Sequence, residues 1–444
     1  MVDINSKRES SGSSPLHELI HAVNRVPRGN GNLCEVDNSY LYSYDQNVIE
    51  GIQFLLEHGA DVYAKDILGD STLCVLLSNK NHLARCSLAA RHDVPETSRF
   101  SLKSAAYGVD NVIVITELII GHMDVIPTTS LYPASVVLKT LCSVDNDRDD
   151  PSLLSPFDVI ERPGIVEKYT ELLTFILRHF DPNRAMEGEL PPLFYLLSQA
   201  TLSPDADDYM YIISSNHCRH LVAFATVLLE HGANTEYDLL DTDGELLSYS
   251  CMDVLVYFLR KMQSYPHSRT AVDLLSLHEL LRVVFTYGAK PYLYNTKFYH
   301  GPDFASAARV VGSKGASNID ATCTCTFLYQ YLCFGAMNLQ YVNVGDIYYE
   351  VLRLLADVTC QRLVYLAFQS ARLVFTCMHG PVDCECGMCL DFHAMLESYM
   401  TAPRSLKQLC RLTIRDQTRH FSPRIVATFR LPKALADYIL LLIM

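Results

Sequence analysis

The 444-residue sequence lacks the motifs that mark nucleotide binding and serine-hydrolase chemistry. It contains no G-x-x-x-x-G-K-[ST], no G-x-G-x-x-G and no G-x-S-x-G. No run of 18 apolar residues exists, so no transmembrane helix and no membrane partner are expected. The polar first residues, 1–13, have no apolar core, and we therefore expect a flexible leader rather than a signal peptide.

Charge is also scarce, since only 19% of the residues are charged whereas 49% are apolar. This composition argues against long disordered tracts. The formal net charge of −14 argues against a nucleic-acid partner. The charge is uneven, because the segment from Ala402 onward carries +6 and the rest of the chain carries −20. An acidic partner surface and a solvated basic face explain this asymmetry equally well.

Fifteen cysteines are present, but they are scattered and odd in number, which indicates free thiols in a reducing compartment. The densest group comprises Cys377, Cys384, Cys386 and Cys389, with His379 and His393 beside them. Thiolates and imidazoles at short spacing are zinc ligands. No second C-x-x-C pair completes a standard site, and we interpret the group as a connecting loop, with structural zinc as the alternative. No cofactor is expected.

A second metal pattern is the H-E-x-x-H of residues 17–21, which is typical of zinc metalloproteases. The residues ahead of it are few and polar, whereas such a helix lies inside a formed domain. The sequence from Ser14 to His17 also reads as an ordinary helix start. We therefore expect no catalytic residue here, and the chain as a whole offers no active site.

Apolar helices that end in glycine and alanine recur along the body. The apolar-x-x-x-G-A pattern begins at Leu55, Leu228, Val284 and Tyr331. Glycine suits the left-handed residue that terminates a helix. The alternative is an all-helical domain in which these endings recur by chance.

This order of helix, glycine stop, extended turn and capped helix resembles the junction between two ankyrin repeats. The spacing of 47 to 64 residues between successive endings exceeds the roughly 33 of an ordinary repeat, and we place the insertions between the two helices of each repeat. The resemblance implies an all-α fold, with a divergent ankyrin-repeat solenoid over residues 14–345. Residues 346–401 would form a helical cap or linker with the Cys-rich loop. Substrate-binding turns are expected at Asp61 to Asp70 and Asn234 to Asp243.

The C-terminal segment, residues 402–444, contains two spaced motifs. The first resembles the BC box, which is the elongin C-binding half of a SOCS box, and its matching residues are Ser405, Leu406, Leu409, Cys410 and Ile414. The second resembles a cullin box that commonly reads L-P-L-P-x-x-L-x-x-Y-L, and its matching residues are Leu431, Pro432, Leu435, Tyr438 and Ile439. Phe429 and Arg430 replace the first Leu-Pro of that pattern. The resemblance implies a small SOCS box of the three-helix type.

Together the two parts resemble the ankyrin repeat and SOCS box family. That resemblance implies a non-catalytic substrate receptor of a ubiquitin ligase, acting in protein ubiquitination and intracellular signal transduction. Its partners would be the elongin B/C heterodimer, a cullin of the fifth class with its RING protein, and an unknown protein substrate. We expect a cytoplasmic location, with the nucleus as a second compartment. The alternative is a non-catalytic ankyrin scaffold without ligase association, whose terminal helices only cap the array. Deletion of 402–444 would then destabilise the body.

Overall fold

The structure is a computed structural model. It describes residues 4–8, 11–23, 38–79, 102–123, 131–142, 164–185, 189–201, 219–240, 246–264, 270–294, 326–338, 345–379, 394, 397–398, 401, 404–418 and 421–441. These residues are mostly helical, as predicted, with one β-hairpin that the all-α prediction did not include. Within them no helix is long and apolar enough to cross a membrane.

The chain forms two compact units. The first comprises Met1–Leu196 and Pro204–Ala233, and the second comprises Leu197–Ser203 and Asn234–Met444. The helices up to Ala233 are α1 Pro15–Ala22, α2 Asn38–Glu57, α3 Thr72–Ser78, α4 Leu102–Gly121, α5 Pro133–Cys142, α6 Ile165–Leu177, α7 Pro192–Thr201 and α8 Arg219–Glu230.

The later elements begin with a hairpin. They are β1 Glu236–Leu240, β2 Leu246–Ser250, α9 Cys251–Ser264, α10 Thr270–Thr286, α11 Phe327–Asn338, α12 Gly345–Val358, α13 Gln361–His379, α14 Leu406–Gln417, α15 Pro423–Thr428 and α16 Lys433–Ile439. The two strands are antiparallel, with Glu236 opposite Ser250 and Leu240 opposite Leu246.

Helices stack in pairs within each unit. In the first unit α1 contacts α3 and α3 contacts α5, while α2 contacts α4, α4 contacts α6 and α6 contacts α8. In the second unit α9 contacts α11, and α10 contacts α12. One helix pair cannot bury its apolar surface alone, whereas neighbours on both sides can cover it. Short α3 illustrates this, because five of its seven side chains are buried.

Three of the four predicted glycine stops have the same geometry. Gly59, Gly232 and Gly288 have φ of +86°, +94° and +93°. In each case the amide of the following alanine donates to a carbonyl five residues earlier, at 2.9 to 3.0 Å. This left-handed cap satisfies carbonyls that the helix leaves free, and glycine adopts it without a Cβ penalty.

The fourth predicted stop, from Tyr331, is wrong. Gly335 lies inside α11 rather than at its end. A Cβ at this position would lie 2.0 Å from the hydroxyl oxygen of Tyr348, so Gly335 allows α12 to approach α11 closely. The ring of Tyr348 stacks on Tyr331 with centroids 4.8 Å apart. This glycine therefore serves helix packing and not helix termination.

Antiparallel bridges precede three of the helices. Lys65 bridges Ser71 before α3, the hairpin ends at Ser250 before α9, and Tyr292 bridges Thr326 before α11. The last bridge joins residues 34 positions apart, whereas Lys65 and Ser71 are only six apart. The prediction that insertions fall only inside a repeat is therefore wrong at this junction, where the extra residues fall between two helix pairs.

The predicted leader, residues 1–13, is in part packed against the turn that follows α2. The Asp61 amide donates to Asn5 Oδ1 at 2.9 Å, and Lys7 Nζ donates to the Lys65 carbonyl at 2.8 Å. The Ile67 amide donates to the Ser11 carbonyl at 3.1 Å. A polar segment can pair in this way because an exposed turn offers free backbone groups.

The predicted helical cap or linker, residues 346–401, includes α12 and α13. Helix α12 begins at Gly345 and stacks on both α10 and α11, so it belongs to the helix pairs. Helix α13 then packs on α11. In the Cys-rich loop, for which zinc binding was the alternative, Cys377 lies in α13, and Cys384, Cys386 and Cys389 lie outside the described residues.

Candidate functional site

The candidate site is the three-helix segment formed by α14, α15 and α16. Helix α14 begins at a capping box, in which Ser405 Oγ accepts from the Gln408 amide at 3.2 Å and the Ser405 amide donates to Gln408 Oε1 at 3.0 Å. These two bonds satisfy donors that a helix start leaves free. The predicted role of Ser405 in binding is thus accompanied by a structural role as the N-cap.

One face of α14 is apolar and open to solvent. The side chain of Leu406 is 77% exposed and that of Leu409 is 44% exposed, with Cys410 exposed beside them. A leucine of this exposure on a short helix gains nothing from the fold of its own chain. We call Leu406, Leu409 and Cys410 the outer face.

The opposite face of α14 is basic and packs inward. Arg411 is only 1% exposed, and its Nη2 lies 3.0 Å from Asp357 Oδ2 on α12. Its guanidinium carbon lies 4.5 Å from the ring centroid of Tyr438, which is a favourable cation–π distance. Gln408 Nε2 donates to Asp357 Oδ1 at 3.1 Å, so both carboxylate oxygens of Asp357 contact side chains of α14.

Two further arginines contact carbonyls at the ends of body helices. Arg404 donates to the carbonyls of Ala356 and Thr359, the latter at 2.5 Å, at the end of α12. Arg415 donates to the carbonyl of Phe285 at the end of α10. Helix C-termini carry partial negative charge and attract cations.

Burial lowers the pKa of Arg404, and it lowers the pKa of Arg415 to about 10, with the charge of Arg411 as a second cause. Arg415 at this value keeps its charge at neutral pH. We call Arg404, Arg411 and Arg415 the inner arginines. For these three the interpretation as a solvated basic face is wrong. Their partners lie within the chain and are one carboxylate, for Arg411, and backbone carbonyls, for Arg404 and Arg415.

The three helices have a small core of their own. Phe421, Val426, Ile439 and Leu440 are buried, and Ile414, Leu431 and Ala436 pack against them. Ile414, predicted to bind elongin C, and Leu431 and Ile439, predicted to bind a cullin, therefore pack inside the segment.

The second half of the segment exposes other apolar residues. Leu435 is 40% exposed, Phe429 is similarly exposed, and Pro432 lies at the surface. Tyr438 is buried beneath two cations, with Lys407 Nζ 3.9 Å from its ring centroid and Arg411 beside it.

Arg430 has a φ of +53°, a left-handed conformation that proline cannot adopt because its ring fixes φ near −65°. This position holds the second residue of the L-P-L-P pattern. Arginine instead of proline at position 430 is therefore compatible with the left-handed backbone found there.

The segment also contacts the glycine stop of α10. Phe421 packs on Gly288, where a Cβ would lie 2.9 Å from both the Cβ and the carbonyl oxygen of Phe421. Thr286 Oγ1 donates to the Leu440 carbonyl at 3.0 Å. With the inner arginines, these contacts fix the segment on the ends of α10 and α12.

Residues 402–440 match the family model of the SOCS box. The segment is a SOCS box. SOCS boxes bind elongin B/C and a cullin in ubiquitin ligase complexes, and the proteins that carry them are typically adaptors rather than catalysts. No curated protein matches the chain.

The H-E-x-x-H pattern forms a helix start, as expected. His17 is buried with its Nδ1 2.8 Å from Ser14 Oγ, and the two residues form a capping box. Burial lowers the pKa of His17, while His21 is exposed. No group of three potential metal ligands occurs in the part of the chain that the structure describes.

Sequence reasoning missed the inner arginines and Asp357. The signal was present, since positions 404, 411 and 415 are separated by seven and four residues and so share one helical face. The sequence pattern left an acidic partner surface and a solvated basic face equally open for these residues, and it does not show which element they contact.

Proposed function

We propose that the chain is a non-catalytic substrate receptor of an elongin B/C–cullin–RING ubiquitin ligase. The observation that carries this proposal is the SOCS box match at 402–440 together with the exposed outer face of α14. The outer face holds three of the five predicted elongin C-binding residues. The remaining two, Ser405 and Ile414, support them by capping the helix and by packing its inner side.

Elongin C would cover the outer face. Full burial of a leucine side chain contributes about 1.5–3 kcal/mol, and Leu406 has most of its surface available for that. Leu409 and Cys410 are on the same side and would extend the contact. A cullin would contact Pro432 and Leu435, with Phe429 beside them. We propose the fifth cullin class because it is the one usual in the ankyrin repeat and SOCS box family, which the chain resembles.

The body would be a divergent ankyrin solenoid that holds the substrate. Its support comes from three equivalent glycine stops, capped helices that follow antiparallel bridges, and the stacking of helix pairs. The turn from Asp61 to Asp70 is a candidate substrate contact, because Ile67 and Leu68 are 70% and 81% exposed at its tip. Asp66 Oδ1 accepts from the Leu68 and Asp70 amides at 2.9 Å, which holds that tip in place.

The second predicted turn, Asn234 to Asp243, forms the first strand of the hairpin, and its last three residues lie outside the described residues. Block replacement of each turn with alanine, followed by proximity labelling of bound proteins, tests both. Loss of the same labelled proteins in one block variant would identify the substrate-binding turn.

We also propose a cytoplasmic location, with the nucleus as a second compartment. None of the described cysteines Cys74, Cys251, Cys333, Cys360 and Cys410 forms a disulfide, which suits a reducing compartment. Fractionation of cells that express the tagged chain tests this.

The scaffold alternative keeps one supporting observation. The inner arginines join the SOCS box to α10 and α12, so the segment also caps the second unit. Deletion of 402–444 would destabilise that unit under both the receptor and the scaffold hypotheses. The deletion therefore cannot distinguish the two. Substitutions on the outer face are needed instead, because they leave the capping contacts in place.

Co-expression of the chain with elongin B/C provides the test. Leu406→Arg with Cys410→Arg places two charges on the outer face and should abolish capture of elongin C. Leu275→Arg is the matched control, since Leu275 is an exposed leucine of α10 in the same unit. Leu435→Arg should retain elongin C and lose the cullin. Equal capture by the Leu406/Cys410 variant and the control would contradict the outer face as the elongin C-binding surface, and absence of capture by the unmodified chain would support the scaffold hypothesis.

A further inference from the structure

We infer that the inner arginines are positioning residues of the proposed ligase. They hold α14 in one orientation on the ends of α10 and α12, so that the outer face points in a fixed direction from the second unit. The docking itself is independent of the proposed function, whereas its consequence for ubiquitin transfer rests on it.

The contacts are distributed along the whole helix. Arg404 precedes its first turn and Arg415 lies in its last turn, about 16 Å apart along the axis. Arg404 contacts α12 and Arg415 contacts α10. Two anchors on different helices fix both the direction of α14 and its rotation, which a single contact would leave free.

Arg411 lies between the two anchors and is the most buried of the three. A buried arginine needs its carboxylate, because removal of one partner leaves a charge without compensation. Asp357 supplies that charge from α12, and the Tyr438 ring covers the guanidinium from α16. Arg411 therefore joins α14 to the body and to the rest of the SOCS box at one point.

The two faces of α14 have separate tasks in this arrangement. The outer face is apolar and available to a partner, whereas the inner arginines contact α10 and α12. A substitution of an inner arginine should therefore change the orientation of the SOCS box without removing any residue of the outer face. This separation makes the inference testable.

The first experiment measures orientation in the full chain. Genetically encoded spin labels at exposed Thr413 on α14 and exposed Arg353 on α12 report their separation by pulsed electron resonance. The unmodified protein should give one narrow distance distribution. Arg411→Met with Arg415→Met should broaden it at least twofold. Arg424→Met changes an exposed arginine of α15 and serves as the control that stays narrow.

A milder variant covers the case in which the double variant fails to fold. Arg404 is only partly buried, and Arg404→Gln removes its charge but keeps an amide donor on the side chain that contacts the carbonyls of Ala356 and Thr359. This single change should broaden the distribution by a smaller amount. A distribution as narrow as that of the Arg424→Met control, in this variant or in the folded double variant, would overturn the inference.

The second experiment measures the consequence for transfer. With elongin B/C, cullin and RING protein reconstituted, self-ubiquitination of the receptor can be mapped by mass spectrometry without a substrate. The folded variant with the broader distribution should bind elongin B/C within about threefold of the unmodified chain. Its ubiquitin should be spread over more lysines. A broadened distance distribution with an unchanged lysine pattern would refute positioning of the ligase.

The two experiments separate two kinds of failure. If the unmodified chain captures no elongin C, the proposed function fails, and the distance measurement still decides whether the inner arginines fix α14. If elongin C is captured and the distances do not broaden, the inference fails and the proposed function stands.

Discussion

Gly288 offers a sharp test of how the SOCS box joins the body. It shares its left-handed cap with Gly59 and Gly232, and φ differs by at most 8° among the three. A Cβ at Gly59 or Gly232 would meet nothing within 4 Å. At Gly288 it would lie 2.9 Å from two atoms of Phe421. The three sites therefore have the same backbone strain and differ in steric contact.

The magnitudes follow from these two terms. Alanine in the left-handed region should cost about 1–2 kcal/mol at each site. The contact with Phe421 should add about 1–3 kcal/mol at Gly288, because one of the two atoms belongs to the backbone and cannot rotate away. Asparagine tolerates the left-handed region better than alanine and has the same Cβ. It should therefore recover part of the strain at all three sites, whereas the cost of the contact with Phe421 should remain at Gly288.

Hydrogen exchange followed by mass spectrometry separates the two terms. Alanine or asparagine at Gly288 should accelerate amide exchange in residues 421–441, where the SOCS box packs on α10. The same changes at Gly59 and Gly232 should leave that region unaffected. If asparagine at Gly288 were tolerated as well as at Gly232, with unchanged exchange, the contact between Phe421 and α10 would be refuted.

Three other predictions concern the described core. Gly335→Ala should destabilise the second unit in urea by about 1–3 kcal/mol through its clash with Tyr348, and Tyr348→Phe should recover part of the loss. Asp357→Ala should cost about 3–5 kcal/mol in the same assay because Arg411 would stay buried without its carboxylate, and a cost below about 1 kcal/mol would contradict the ion pair. Burial lowers the pKa of His17 and His278 from 6.5, so at pH values below about 6.5 the unfolded chain binds more protons than the folded chain. The free energy of unfolding should therefore fall as the pH drops through this range. His278→Gln should make that fall less steep.

The sequence predicted the helical content and the SOCS box because both depend on local patterns. Glycine stops at 59, 232 and 288 follow from an apolar helix and a residue without a Cβ. The pattern could not distinguish Gly335, whose role depends on Tyr348 of the next helix. Packing between helices that are distant in sequence is not encoded in either helix alone.

Of the two faces of α14, only the outer face was predicted from the sequence as a binding surface. Leu406 and Cys410 stand out because an apolar residue on a short helix needs a partner. Arg411 did not stand out, since a charged residue is expected at the surface and is buried only when a carboxylate such as Asp357 approaches it. That approach depends on how α12 and α14 meet, which lies beyond a sequence pattern.

The affinity of the full chain for purified elongin B/C, measured by isothermal titration calorimetry, tests the central claim most directly. Leu406→Ala should weaken binding by about 30-fold, which corresponds to about 2 kcal/mol for a buried interface leucine. Leu275→Ala should leave the affinity within twofold. Absence of binding by the unmodified chain, or equal affinities for the two variants, would contradict the assignment of α14 as the elongin C-binding helix.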